Sequence, residues 1–128
     1  MAKTVQELQV LQRACAAADA LFALLCSSAV GRDRELGGQL NRASIRIVSD
    51  IAEGFEQKTD RHFARYLYGA RGGASEIRVQ LSLAQARGYI TPEACIELSE
   101  RYAEVGRMLS GLIAHLERED RKNRRPGN

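Results

Sequence analysis

Residues 59–88 read TDRHFARYLYGARGGASEIRVQLSLAQARG, and their spacing decides the fold class. Phe63, Leu67, Ala70, Ala74, Ile77, Leu81 and Ala84 recur at three- and four-residue steps, which places them on one face of an α-helix. Thr59 or Asp60 supplies an N-cap, and Gly88 after Arg87 a stop. Inside this helix Gly69, Gly72 and Gly73 would each cost up to about 1 kcal/mol against alanine. Close approach of a neighbouring helix is the expected compensation, on a small-residue face shared with Ala70 and Ala74. A phosphate-cradling loop would need those glycines between a strand and a helix, a context the pattern lacks.

The same spacing extends outward. Leu36, Leu40, Ala43, Ile47 and Ile51 mark a helix up to Gly54, preceded by Gly31 and the charged turn Arg32-Asp33-Arg34-Glu35. Leu8, Leu11, Cys15, Ala18, Phe22 and Leu25 form a stripe expected to face the core from a helix over about residues 5–28. Thr91-Pro92-Glu93 offers a hydroxyl at N-cap, proline at N1 and a carboxylate near the positive helix end. From there Cys95, Leu98, Tyr102, Val105, Leu109, Leu112 and Leu116 carry a fourth helix to about Arg118. Four amphipathic helices with short connections predict an all-α, antiparallel up-down-up-down four-helix bundle over residues 1–118. Residues 119–128 carry no stripe and are expected to be a basic, mobile C-terminal tail.

More apolar surface is present than one stripe per helix requires. Val10, Ala14, Ala17, Leu21 and Leu24 lie off the first stripe, Ile45 and Val48 off the second, and Ile96, Met108 and Ile113 off the last. Either the stripes are wide, or other subunits cover them.

The 128 residues are 45% apolar, 27% charged and 5% aromatic, which fits one soluble domain with a core independent of metals and disulfides. The opening residues are polar and no apolar run is expected to span a bilayer, so a cytoplasmic protein without membrane contact is predicted. Cys15, Cys26 and Cys95, odd in number and set among Ala and Leu, are expected to be small buried hydrophobes in a reducing compartment. The surplus charge of +3 equals that of residues 118–128, which hold five basic and two acidic side chains. Residues 32–87 hold ten basic and seven acidic ones, and residues 88–117 two basic and five acidic. A neutral but bipolar body suits contacts between copies as readily as a phosphate backbone.

Nothing marks catalysis. No nucleophile elbow or dinucleotide fingerprint is present. His62 and His115 lack the Glu three residues upstream that di-iron bundles use, and lack Cys partners for zinc. A non-enzyme without cofactor or metal is therefore predicted. Asp50, Glu53 and Glu76 are expected to be partly buried beside apolar stripes, the two glutamates pairing with Arg42, Arg46 or Arg107. The candidate nucleic-acid-binding set is Arg42 and Arg46 on the second helix, Arg61, Arg65, Arg71 and Arg78 on the third, and Arg121, Lys122, Arg124 and Arg125 in the tail. Arginine suits phosphate because its planar fork donates two hydrogen bonds, and Tyr66 and Tyr68 could stack on bases or fill subunit seams. Against this stands the ordinary solvated helix face, with Arg46 pairing to Asp50 and Arg61 to Glu56 or Asp60.

Several segments resemble a known family: Gln39-Leu40-Asn41-Arg42-Ala43-Ser44-Ile45, Ile51-Ala52-Glu53-Gly54, Phe63 with Tyr66-Leu67, Ala70-Arg71-Gly72, Glu76, Gln80-Leu81, Gly88-Tyr89-Ile90 and Arg107-Met108-Leu109. The combination, over roughly residues 8–116, is similar to the bacterial four helix bundle protein family. That family includes proteins encoded by intervening sequences in 23S ribosomal RNA genes and is related to the accessory variability proteins of diversity-generating retroelements. The resemblance implies a four-helix bundle, assembly into a barrel-like homopentamer and a role in nucleic-acid binding. Asp50 departs from the pattern, which usually has Asn there, and Gly73 stands where Ser is frequent. A buried acid at position 50 would need a cation or a shared proton. Two functions follow as expectations: an oligomeric bundle that binds RNA or DNA through basic residues, and a self-assembling scaffold for a protein partner.

Overall fold

In the computed structural model, which describes residues 5–124 apart from the side chains of Val5 and Leu8, the third and fourth helices begin where their capping chemistry predicts. The elements are α1 (Val5–Ser27), a single 3-10 turn (Ala29–Arg32), α2 (Arg34–Phe55), α3 (Asp60–Ala86) and α4 (Pro92–Asn123). Asp33 caps α2 by accepting from the Leu36 amide at 3.0 Å, Thr59 caps α3 through the His62 amide at 3.2 Å, and Thr91 caps α4 through the Ala94 amide at 3.1 Å. α3 closes in a Schellman turn. Gly88 takes φ +73° and donates to the Gln85 carbonyl, while Tyr89 donates to that of Ala84.

The helices pack in a ring, each against its neighbours in sequence and α4 back against α1. Side-chain pairs give the directions. Along α2 and α3, Ile47 meets Gly73, Arg46 meets Glu76 and Gln39 meets Gln80, so one number rises as the other falls. Tyr68 with Glu117 and Arg71 with Ser110 set α3 antiparallel to α4, and Gln6 beside Gly111 with Arg13 on Glu104 do the same for α1 and α4. Leu40, Ile47, Ile51, Leu67, Ile77, Leu81, Leu109 and Leu112 fill the fully buried centre.

Several expectations need correction. In α1 the buried stripe is Val10, Ala14, Ala17 and Leu21, whereas Cys15 and Phe22 of the expected stripe are exposed and Leu11, Ala18 and Leu25 are only half-buried. The side chain of Leu8 lies outside the described residues. Both stripes have helical spacing, so periodicity alone could not choose between them. Cys15 and Cys26 are accordingly exposed, and only Cys95 is buried. α4 continues five residues past Arg118 to Asn123, supported by ion pairs of Lys122 with Glu119 and Arg124 with Asp120 one turn apart. Residues 125–128 of the expected tail lie outside the described residues.

The residues Gln9–Ser27 of α1 are also long and apolar enough to cross a membrane by length and composition, contrary to the expectation for this chain. Only 22% of that stretch is buried in the bundle. Its inner stripe nevertheless packs in the common core, and Arg13 pairs with Glu104 of α4.

The glycines of α3 divide. A Cβ on Gly73 would stand 2.9 Å from Ile47 Cγ1, so the helices approach there as expected, while a Cβ on Gly69 would meet the Asp50 carboxylate at 3.0 Å. At Gly72 a Cβ would meet nothing within 4 Å, and the close-packing role expected for it is wrong. Gly72→Ala is therefore expected to stabilise the fold by about 1 kcal/mol through helix propensity. Gly73→Ala is expected to destabilise it, because overpacking at about 1–3 kcal/mol exceeds that gain. Urea unfolding of the two variants checks the opposite signs.

Asp33 ties two turns together. It accepts from the Tyr89 hydroxyl at 3.0 Å and pairs with Arg87 at 3.5 Å, besides capping α2. The Leu36 amide, then Tyr89, hold its carboxyl below the ordinary 3.8, because both bonds are stronger to the ionised acceptor. A depressed folded value means the contribution is complete above the unfolded value and is lost as pH falls through the folded one. Asp33→Asn is thus expected to lower Tm at neutral pH, with the gap to the unmutated chain closing as pH falls through the lowered folded value.

Candidate functional site

The basic residues singled out in the sequence fall on two seams. Arg61, Arg65, Arg71 and Arg78 rise along α3 beside α4, over about 25 Å at 1.5 Å per residue. α4 runs antiparallel, which brings Arg121 back to Arg61 and Arg65 in a cleft of about 370 Å³ with Tyr68, Glu117 and Asp120. A second cleft of about 410 Å³ follows, lined by Arg71, Arg78 and Arg107 with Ser75, Ser110 and Tyr102. Arg42 and Arg46 lie apart, on the seam between α2 and α3 beside Gln39 and Glu76.

Pairing separates these arginines further. Arg46 pairs with Glu76 at 3.5 Å, not with Asp50, and Arg107 pairs with Glu104 at 2.8 Å. Lys122 and Arg124 are engaged by Glu119 and Asp120 on their own helix. Among the described residues, Arg61, Arg65, Arg71, Arg78 and Arg121 form no ion pair, so the expected partners Glu56 and Asp60 do not engage Arg61. Arg42 forms none either. Arg125 lies outside the described residues.

Tyr68 stands between the two α3–α4 clefts. Its hydroxyl donates to Glu117 at 2.7 Å, and the Arg71 guanidinium lies over its ring, 4.9 Å from the centroid. The bond to Glu117, then burial, raises its phenol above the ordinary value. Arg71 also donates to Ser110 at 3.2 Å, which holds its planar head at the seam. The centre of the seam is thus preorganised while its ends carry free cations.

The acidic residues meet the expectation in part: Asp50 is half-buried and Glu76 pairs with Arg46, but the two glutamates are exposed. Glu53 is exposed, and Glu76 keeps a side-chain exposure of 46%, so neither is held in the core. Asp50 is half-buried, and burial first, then the charge of Glu53, raises its carboxyl despite the opposing field of Arg46. Gln80, which the sequence did not single out, is buried and donates to Gln39 at 3.0 Å and Glu76 at 3.4 Å. Tyr102 is buried as well, and desolvation pushes its phenol far up, with the Ser44 hydroxyl acting in the opposite direction. Among the described residues, no group of three or more His, Cys, Asp or Glu gathers to hold a metal ion.

Residues 6–111 match the sequence profile of the 23S rRNA-intervening sequence proteins. The chain belongs to the 23S rRNA-intervening sequence protein family. A crystal structure of a protein of unknown function from the S23 ribosomal protein family of Bacteroides thetaiotaomicron VPI-5482 is similar, with a TM-score of 0.78 and 19% identity. The alignment covers 86% of this chain and 99% of that one, so the bundle itself is the shared feature. No curated protein matches. The family match spans α1 to the middle of α4, which leaves Glu117 and Arg121 of the first cleft beyond it.

Proposed function

We propose that this family member is a non-enzymatic, cofactor-free, cytoplasmic homo-oligomer that binds RNA or DNA by phosphate neutralisation along the α3–α4 seam. The observation that carries the reading is the row of arginines there without carboxylate partners, set around an exposed tyrosine. An arginine already paired must give up its carboxylate to take a phosphate, whereas an unpaired one adds a charge-assisted hydrogen bond outright. The row is as long as about seven steps of a duplex strand at 3.4 Å each. Arg42, with Arg46 and the described end of α4, is a secondary contact, since most of those cations are engaged.

Self-assembly has separate support. Phe22 is 59% exposed on α1, on the face that also carries Cys15 and Leu11, and Val79 of α3 and Ile96 of α4 are 70% and 61% exposed. Apolar side chains of that size on several outer faces favour burial by further copies. Resemblance to the family makes five the subunit number to test. The same faces favour the second reading, a self-assembling scaffold for a protein partner with no nucleic-acid role.

Anisotropy of labelled 23S rRNA fragments, single-stranded DNA and duplex DNA at 50 mM salt, with light scattering of the free protein, tests both parts. Binding together with a mass of several chains supports the proposal. A monomer at micromolar concentration overturns the assembly, and absence of binding leaves the scaffold reading.

A further inference from the structure

The phosphate reading does not use the cleft where the end of α2 meets the start of α3. It holds about 350 Å³, a size suited to a small planar ligand, and is lined by Asp50, Gln57, His62, Arg65, Tyr66 and Gly69. The Asp50 carboxylate has no hydrogen-bond or ion-pair partner among the described residues, because Arg46 one turn away is committed to Glu76. Gly69 gives it room, as a Cβ there would press on Oδ2 at 3.0 Å. A half-buried carboxylate without donors has lost water and gained nothing in its place, which makes it a strong acceptor for a ligand. The donors nearby are also available. His62 uses Nδ1 on Thr59, which leaves Nε2, and the Tyr66 hydroxyl has no partner among the described residues. Arg65 lines both this cleft and the α3–α4 cleft.

We infer that this cleft takes a guanine base of a single-stranded nucleic acid, with Asp50 accepting from its N1–H and N2 amino group. The inference rests on the phosphate reading, since Arg65 would hold the neighbouring phosphate. An ionised carboxylate is an acceptor only, with two oxygens side by side. Guanine is the base that sets two donors side by side on its Watson–Crick edge. Adenine and cytosine place a ring acceptor next to their amino group, and uracil flanks its N–H with two carbonyls, so each turns a lone pair toward the carboxylate. Guanine O6, next to N1–H, requires a donor, and His62, Tyr66 and Arg65 supply candidates. The Tyr66 ring adds a stacking surface.

The test uses three labelled RNA pentamers, UUGUU, UUAUU and UUIUU, where I is inosine and lacks the N2 amino group. Binding to the full chain and to Asp50→Asn is compared at 50 mM salt. Asn at position 50 has the same shape but offers one acceptor and one donor. The guanine probe is expected to bind the unmutated chain at least fivefold more tightly than the adenine probe, with inosine between them. Asp50→Asn is expected to bind all three alike, within twofold of the unmutated chain's affinity for the adenine probe. Equal, salt-sensitive binding of the three probes by the unmutated chain overturns the guanine site and leaves the phosphate reading standing. A preference that survives in Asp50→Asn overturns Asp50 as the reader. Failure of every probe to bind overturns both readings.

Discussion

Changing Arg61, Arg65, Arg71, Arg78 and Arg121 together to glutamine is expected to remove most of the salt dependence of nucleic-acid binding. Each single-strand phosphate that an arginine neutralises adds about 0.7 to the slope of log affinity against log salt. Five such contacts give a slope of about −3.5, or roughly a hundredfold loss of affinity between 50 and 200 mM salt. In the variant the curve is expected to flatten to a slope near that of one or two contacts, left to Arg42 and the end of α4. The fold is expected to persist, because none of the five is buried and none forms an ion pair among the described residues. Circular dichroism of the variant checks the fold, and anisotropy across the salt range checks the slope. Changing Arg13, Arg87 and Arg101 together, all ion-paired and none of them lining the two α3–α4 clefts, is the control expected to leave the slope nearly unchanged.

Two adjacent residues of α1 are expected to respond in opposite ways. Leu21 is 0% exposed, so Leu21→Ala is expected to cost about 2–5 kcal/mol, the sum of lost transfer energy and a residual cavity. Phe22 points outward, so Phe22→Ala removes few contacts within one chain and is expected to change the stability of the monomer by no more than about 0.5 kcal/mol. Its effect belongs to assembly: the mass from light scattering is expected to fall, and the concentration dependence of Tm to weaken. Denaturant unfolding of both variants at several protein concentrations separates the two effects. If Phe22→Ala were as damaging as Leu21→Ala at every concentration, the outward face of α1 would not be a contact between copies.

The same pair shows where sequence reasoning stops. The ends of α3 and the start of α4 were legible because caps are local: Thr59 and Thr91 each act on an amide three residues on, and Gly88 supplies the left-handed turn, whereas the same role of Asp33 was hidden in a run of charges. The fold class followed from periodicity on α2, α3 and α4, where one stripe dominates. On α1 two stripes of similar character run side by side, and the choice between them depends on what α2 and α4 present, which no local pattern encodes. Gly72 and Gly73 make the same point one residue apart, since only the second lies against Ile47. The arginines were legible as a set, but their pairing only in part: Arg46 with Glu76 was among the expected pairs, while Arg46 with Asp50 and Arg61 with Glu56 or Asp60 were not formed. Arg46 turns to Glu76 on another helix in place of Asp50 on its own, and that choice is what leaves the Asp50 carboxylate without an ion-pair partner. The end of α4 was missed because charged i,i+3 and i,i+4 pairs extend it without an apolar stripe.

The α3–α4 seam as the nucleic-acid face is tested most directly by ultraviolet crosslinking of a bound single-stranded RNA, followed by tryptic digestion and mass spectrometry. The account predicts that crosslinks concentrate in the peptide of residues 66–71, which carries Tyr66 and Tyr68 between Arg65 and Arg71. Crosslinks confined to α1 or to the first half of α4, with residues 66–71 unmodified, would contradict it.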